Sequence, residues 1–151
     1  MSYTTESGRQ QILEDAAAAA YPLNSALAAI AEIYDHLDEP TADRMETIVF
    51  KPLQGGYGQL RRTLTEFAAR SGLEPPLFGE PPVALPSGAH AVLEQIAEWA
   101  QQADQMIAEL QDSLLPVEVG DPELRAGLSG MRTQIASVPG ACVSLLRTLG
   151  R

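Results

Sequence analysis

At 151 residues, 45% hydrophobic and 20% charged, the chain is long enough for one domain with a true core and too short for two comfortable ones. Its net charge of −10 opposes nonspecific attraction to phosphate backbones and anionic bilayers, so neither nucleic acid nor membrane is an expected partner. Its one cysteine, Cys142, excludes an internal disulfide and a multi-cysteine metal site.

The polar start, MSYTTESGRQQ, lacks the basic and apolar runs of a signal peptide, and no apolar run approaches membrane-spanning length, so the expected location is cytoplasmic. Aromatics are only 5%, which leaves Ala and Leu to fill the core and favours close-packed helices.

The first segment, about 5–38, repeats at Leu13, Ala16, Ala20, Leu23, Leu27, Ile30, Tyr34 and Leu37. Steps of three and four make this a heptad seam, and it continues across Pro22. Asp38-Glu39-Pro40-Thr41 reads as a tight turn with a proline fit for a first helical turn. The second segment, about 41–71, is less regular. Met45, Val49, Pro52 and Gly56 fit one register and Leu60, Leu64 and Phe67 the next, with the slip falling on the glycines. Ser71-Gly72 stops the helix, and five prolines make 72–87 a stiff linker. Its Leu77, Phe78, Val83 and Leu85 are expected to close one end of the molecule.

Ser87 is the expected cap of a third helix, about 88–115, whose face carries Val92, Ile96, Trp99, Ala103, Met106 and Leu110, widened by Leu93, Ala100, Ile107 and Leu114. Asp121-Pro122-Glu123 opens a fourth, about 122–149, with a seam at Leu124, Leu128, Met131, Ile135, Val138, Cys142, Leu145 and Leu149 that crosses Pro139-Gly140.

The expected fold is all-α: a single domain over 1–151, an antiparallel up-down-up-down four-helix bundle with helices one, two and four interrupted by Pro or Gly. Residues 71–124 hold ten acids and no Lys or Arg, whereas helices two and four hold most of the basic residues. An order in which two and four each neighbour one and three brings opposite charges together.

With both turns at one end, Pro22, the Gly55–Gly58 run, Trp99 and Pro139-Gly140 fall in one middle layer. An interior proline costs about 3 kcal/mol uncompensated, and a one-residue slip suggests a π turn. Three readings follow: helices bowing to admit Trp99, a hinge, or a small-ligand pocket lined by Tyr21, Asn24, Tyr57, Trp99 and Cys142.

Other chemistry has little to stand on. QGGYGQL lacks the Gly-Lys-Ser/Thr ending of a P-loop, which leaves only a weak anion site at a helix restarted near Gly58. His36 and His90 fall on outer positions, away from any Glu-x-x-His pair. Tyr34 reads as core, Asp38 as turn-former and Cys142 as a small buried hydrophobe. No catalytic residue, metal or cofactor is expected. The expected function is a non-enzymatic adaptor, assembly or accessory protein that binds another protein or itself, along an acidic surface from Leu73 to Glu123. The alternative is a bundle binding a small apolar or aromatic molecule in its middle layer.

Overall fold

The computed structural model describes residues 2–79 and 84–149, with side chains from Glu6 onward; Val83 lies outside the described residues. Among them every regular element is helical: α1 (Ser2–Ala18), α2 (Ala20–Ile33), a 3-10 turn (Tyr34–His36), α3 (Glu39–Met45), a π turn (Glu46–Phe50), α4 (Lys51–Ser71), α5 (Ala89–Asp112), α6 (Leu115–Glu118), α7 (Pro122–Ile135) and α8 (Val138–Leu149).

Proline sets the punctuation. Pro22 is the third residue of α2; Pro40, Pro52, Pro116 and Pro139 are the second residues of α3, α4, α6 and α8; Pro122 opens α7. Each sits in a first turn, where a missing N–H leaves no gap in the hydrogen-bond ladder. The first segment breaks at Ala19, whose N–H donates to Ala16 O at 3.1 Å. The fourth breaks at Ala136-Ser137. The second is not cut; its turn before Pro52 widens into the π turn. A widened turn relieves the clash that a proline makes with the carbonyl four residues before it, here that of Ile48.

The register slip in segment two therefore lies at Glu46–Phe50, not at the glycines, which sit inside the unbroken α4. The glycines answer a sideways constraint. A Cβ on Gly56 would lie 2.5 Å from Ile135 Cγ2, and one on Gly55 would collide with the Gln134 amide. From the facing helix, a Cβ on Gly127 would lie 2.8 Å from Thr63 Cβ, and one on Gly130 would lie 2.9 Å from Gln59 Cδ. Gln134 also donates through Nε2 to Gln59 Oε1. Glycine here trades about 1 kcal/mol of helix propensity per residue for close approach of α4 and α7.

Caps match local chemistry. Asp38 accepts from Thr41 N–H at 3.4 Å, and Asp121 from Leu124 N–H at 2.9 Å. Gly72, at φ 69°, closes α4 in a Schellman motif: Leu73 N–H reaches Ala68 O at 2.9 Å and Gly72 N–H reaches Ala69 O at 3.3 Å. Ser87 is not the cap of α5. The helix starts after Gly88, at φ 90°, without a side-chain cap.

The pairing of segments departs from the expected order. α4 packs chiefly on α7, α2 on α5 and α5 on α8, while α1 touches both α4 and α5. Segments two and four are thus neighbours, and so are one and three; the expected seam between basic two and acidic three is replaced by the glycine contact. Exposed ion pairs are worth about 0–1 kcal/mol each, too little to override such packing.

Nor do the two connections share an end. Arg44 Nη2 donates to Ser144 Oγ at 3.0 Å, and Ile33 and His36 border Leu85, Gly88 and Val92, so the first turn lies by the start of α5 and the end of α8. The second connection lies at the other end, where Gly8 meets Leu115 and Val119, and Arg70 bonds Asp121 Oδ1 at 2.9 Å. The linker spans the distance between the ends instead of closing one of them. Leu73, Phe78 and Leu85 pack partly on the core, and Leu77 is 96% exposed.

The core is contiguous and aliphatic, with Phe67 its largest fully buried side chain. The fourth-segment seam is buried from Leu124 through Leu145, with Leu149 half-buried. In the first segment the buried face turns after the break to Ala26, Ile30 and Ile33, leaving Tyr34 exposed rather than in the core. On α5 the inward line is Leu93, Ile96, Ala100, Ala103, Ile107 and Leu110; Trp99 and Met106 flank it half-buried, and Leu114 is exposed. The helical stretch Glu6–His36 is long and apolar enough by composition to cross a membrane, but 56% of its most apolar window is buried in the protein, as in a core helix.

Candidate functional site

The break at Ala136-Ser137 gives the fourth segment two partners. α7 is drawn tightly onto α4 by the glycines, and α8 turns onto α5. Between α5 and α7 an open groove of about 630 Å³ remains. Ala136 and Pro139 give it apolar surface over a floor of buried Ala100 and Ile135; Gln101, Gln105, Ser129 and Thr133 line it with amides and hydroxyls.

One ion pair ties the walls together. Arg132 donates through Nε to Asp104 Oδ1 at 2.8 Å, through Nη2 to Asp104 Oδ2 at 3.3 Å, and through Nη1 to Gln111 Oε1 at 2.7 Å. Gln111 Nε2 in turn donates to Ser129 Oγ at 3.1 Å. The hydrogen bonds to Asp104 raise the Arg132 guanidinium above its ordinary range. Arg132 is therefore a brace, with little freedom to meet an incoming anion. What the groove offers is amide and hydroxyl hydrogen bonding beside apolar surface, around one internally paired Asp104–Arg132 ion pair.

The five residues of the anticipated pocket occupy different surroundings. Tyr21 is 56% exposed. Asn24 Nδ2 donates to Gly79 O in the linker at 2.8 Å. The Arg61 guanidinium lies 5.7 Å from the Tyr57 ring centre and 5.5 Å from that of Phe78. Asn24 and Arg61 thus help to seat the linker, and Tyr57 lies behind Arg61. Trp99 is half-buried on α5. Cys142 is buried on α8, and burial pushes its thiol up to about 12. None of the five lines the groove.

Other candidates resolve locally. Gly58 lies within α4, so no restarted helix offers free N–H groups to an anion there. His90 Nδ1 is 2.9 Å from Glu94 Oε1 on the surface. Among the described residues no group of three or more His, Cys, Asp or Glu is placed to hold a metal ion.

Sequence reasoning missed the groove residues. The available signal was the pair Asp104 in the third segment and Arg132 in the fourth, the latter one turn ahead of the break before Pro139. The chain matches no protein-family model, no curated protein and no solved structure.

Proposed function

We propose that the chain is a non-enzymatic four-helix bundle, ordered up-down-down-up around a long crossover linker, that acts by holding a partner polypeptide in the groove between α5 and α7. The observation that supports this is the groove itself: an open channel with apolar surface and amide and hydroxyl walls, braced by Arg132 and Asp104. The opposed contacts of one with three and of two with four support the bundle order. The acidic stretch from Leu73 to Glu123 includes α5, one wall of the groove, and steers a partner by charge. A cytoplasmic location, no cofactor, and no nucleic-acid or membrane partner belong to the same reading. The mid-bundle pocket is the weaker alternative, because Asn24 is engaged with the linker and the Tyr57 ring with Arg61.

A photo-crosslinking residue at exposed Gln101, used in cell extract and alongside analytical ultracentrifugation, tests the reading. A discrete adduct, or self-association, that is lost when Ala136→Trp fills the groove is expected. A strict monomer without adduct, or an adduct indifferent to Ala136→Trp, argues against it.

A further inference from the structure

The linker after α4 presents an apolar side chain that the bundle does not use. Leu77 is 96% exposed, while Pro76 and Phe78 on either side of it are half-buried. A single exposed leucine is ordinary on a protein surface. This one differs in how it is held.

Both flanks are fixed to the body. Upstream, Leu73 N–H closes the end of α4 on Ala68 O at 2.9 Å, and the Leu73 side chain packs partly on the core. Downstream, Phe78 packs on the core with the Arg61 guanidinium 5.5 Å from its ring centre, and Asn24 Nδ2 donates to Gly79 O at 2.8 Å. Between these points Pro75 and Pro76 fix their own φ at about −65°, and the residue before each proline is kept out of the helical region. The stretch from Glu74 to Pro76 is therefore extended in the manner of polyproline II. Among the described residues no hydrogen bond joins the backbone of 74–77 to the bundle, which leaves its carbonyls open to a partner.

A pre-extended strand with its anchor already turned outward loses little freedom on docking. Polyproline strands dock in aromatic-lined grooves of other proteins. Charge narrows the partner further. Glu74 is exposed beside the prolines, and residues 71–124 carry ten acids and no Lys or Arg. The cation that borders the segment, Arg61, is occupied with the Phe78 and Tyr57 rings. Such a surface is repelled by an anionic bilayer and attracted by a basic protein.

We propose that residues 73–79 are a preformed polyproline-type ligand for a second protein: Leu77 anchors in an apolar pocket, Pro75 and Pro76 lie in an aromatic groove, and Glu74 meets a basic rim. The segment is seated by α2 and α4, so this surface stands apart from the α5–α7 groove and from the function proposed for it.

The test uses the full-length protein with a photo-crosslinking residue at Gly79, where a side chain would meet nothing within 4 Å. Irradiation in cell extract should give an adduct with a second protein, which is then purified and titrated with the unaltered chain by calorimetry. Leu77→Asp should weaken binding at least about tenfold. Pro75→Ala combined with Pro76→Ala should weaken it about two- to tenfold by loosening the strand. If the proline variant disturbs the fold, Leu77→Asp, at a nearly fully exposed position, decides alone. A synthetic peptide of residues 72–79 lacks the two fixed flanks and should bind at least about tenfold more weakly than the whole chain. Added salt should weaken binding, and Ala136→Trp in the α5–α7 groove should leave it unchanged. No adduct, an adduct only with another copy of the chain, binding indifferent to Leu77→Asp, binding lost with Ala136→Trp, or a peptide as tight as the whole protein would each overturn the proposal.

Discussion

Alanine in place of single glycines should give opposite results on the two sides of this molecule. At Gly140 an added Cβ meets nothing within 4 Å, so Gly140→Ala collects the helix-propensity gain of about 0.5–1 kcal/mol. At Gly56 the same Cβ would stand 2.5 Å from Ile135 Cγ2, a methyl fixed close to its own backbone, so α4 and α7 must part. Overpacking of that kind costs about 1–3 kcal/mol, which offsets or exceeds the propensity gain. Gly127→Ala, facing buried Thr63, should behave the same way. Gly130→Ala presses on the flexible end of Gln59 and should fall between. Urea unfolding followed by circular dichroism should therefore rank Gly140→Ala above the parent and Gly56→Ala and Gly127→Ala below it. The extremes should lie about 2 kcal/mol apart, roughly 4–8 °C in melting temperature for a chain of this size. A Gly56→Ala protein at least as stable as Gly140→Ala would refute the close-approach account of the glycines.

Asp121 both caps α7 and receives Arg70 at 3.0 and 2.9 Å, so Asp121→Ala should cost about 1–2 kcal/mol in chemical denaturation, more than Arg70→Ala at about 0.2–1. Burial works to raise the Asp121 carboxyl, but the bonds from Arg70 and Leu124 prevail and hold it below 3.8, so its contribution is present above that pH and fades as acid protonates it; Asp121→Asn should flatten that part of the pH–stability curve. Cys142 should resist thiol reagents in the folded protein and react once urea exposes it. Because its folded pKa is raised from 9.0 to about 12, the unfolded chain releases the proton first, and stability should fall as pH climbs through that window; Cys142→Ala should lack this slope. Asn24→Ala with Arg61→Ala should change global stability by less than about 2 kcal/mol yet speed protease cutting in the linker, since these side chains hold Gly79 and Phe78.

Helix punctuation was legible because its causes are local. A proline cannot donate wherever it sits, so Pro22 and Pro139 marked the interruptions of the first and fourth segments, and the seam from Leu124 to Leu145 could be read from spacing alone. The order of the segments was not legible. A linker from 72 to 87 is long enough either to close one end or to cross the whole length, and weak surface ion pairs do not choose between them. The glycines misled for a related reason. In one dimension a glycine run resembles a break, but Gly55 and Gly56 answer to Gln134 and Ile135, nearly eighty residues later. Trp99 was placed in the core by its spacing with Ile96 and Ala103; the inward line instead runs through Ala100 and Ala103 because two helices, α2 and α8, crowd that face.

The most direct test of the architecture is the solution NOE between the Gly56 Hα protons and the Ile135 γ2 methyl. With α4 seated on α7, that cross-peak should be strong and accompanied by contacts from Thr63 to Gly127. Its absence, with α4 instead showing methyl contacts along the length of α5, would contradict the arrangement on which the groove depends.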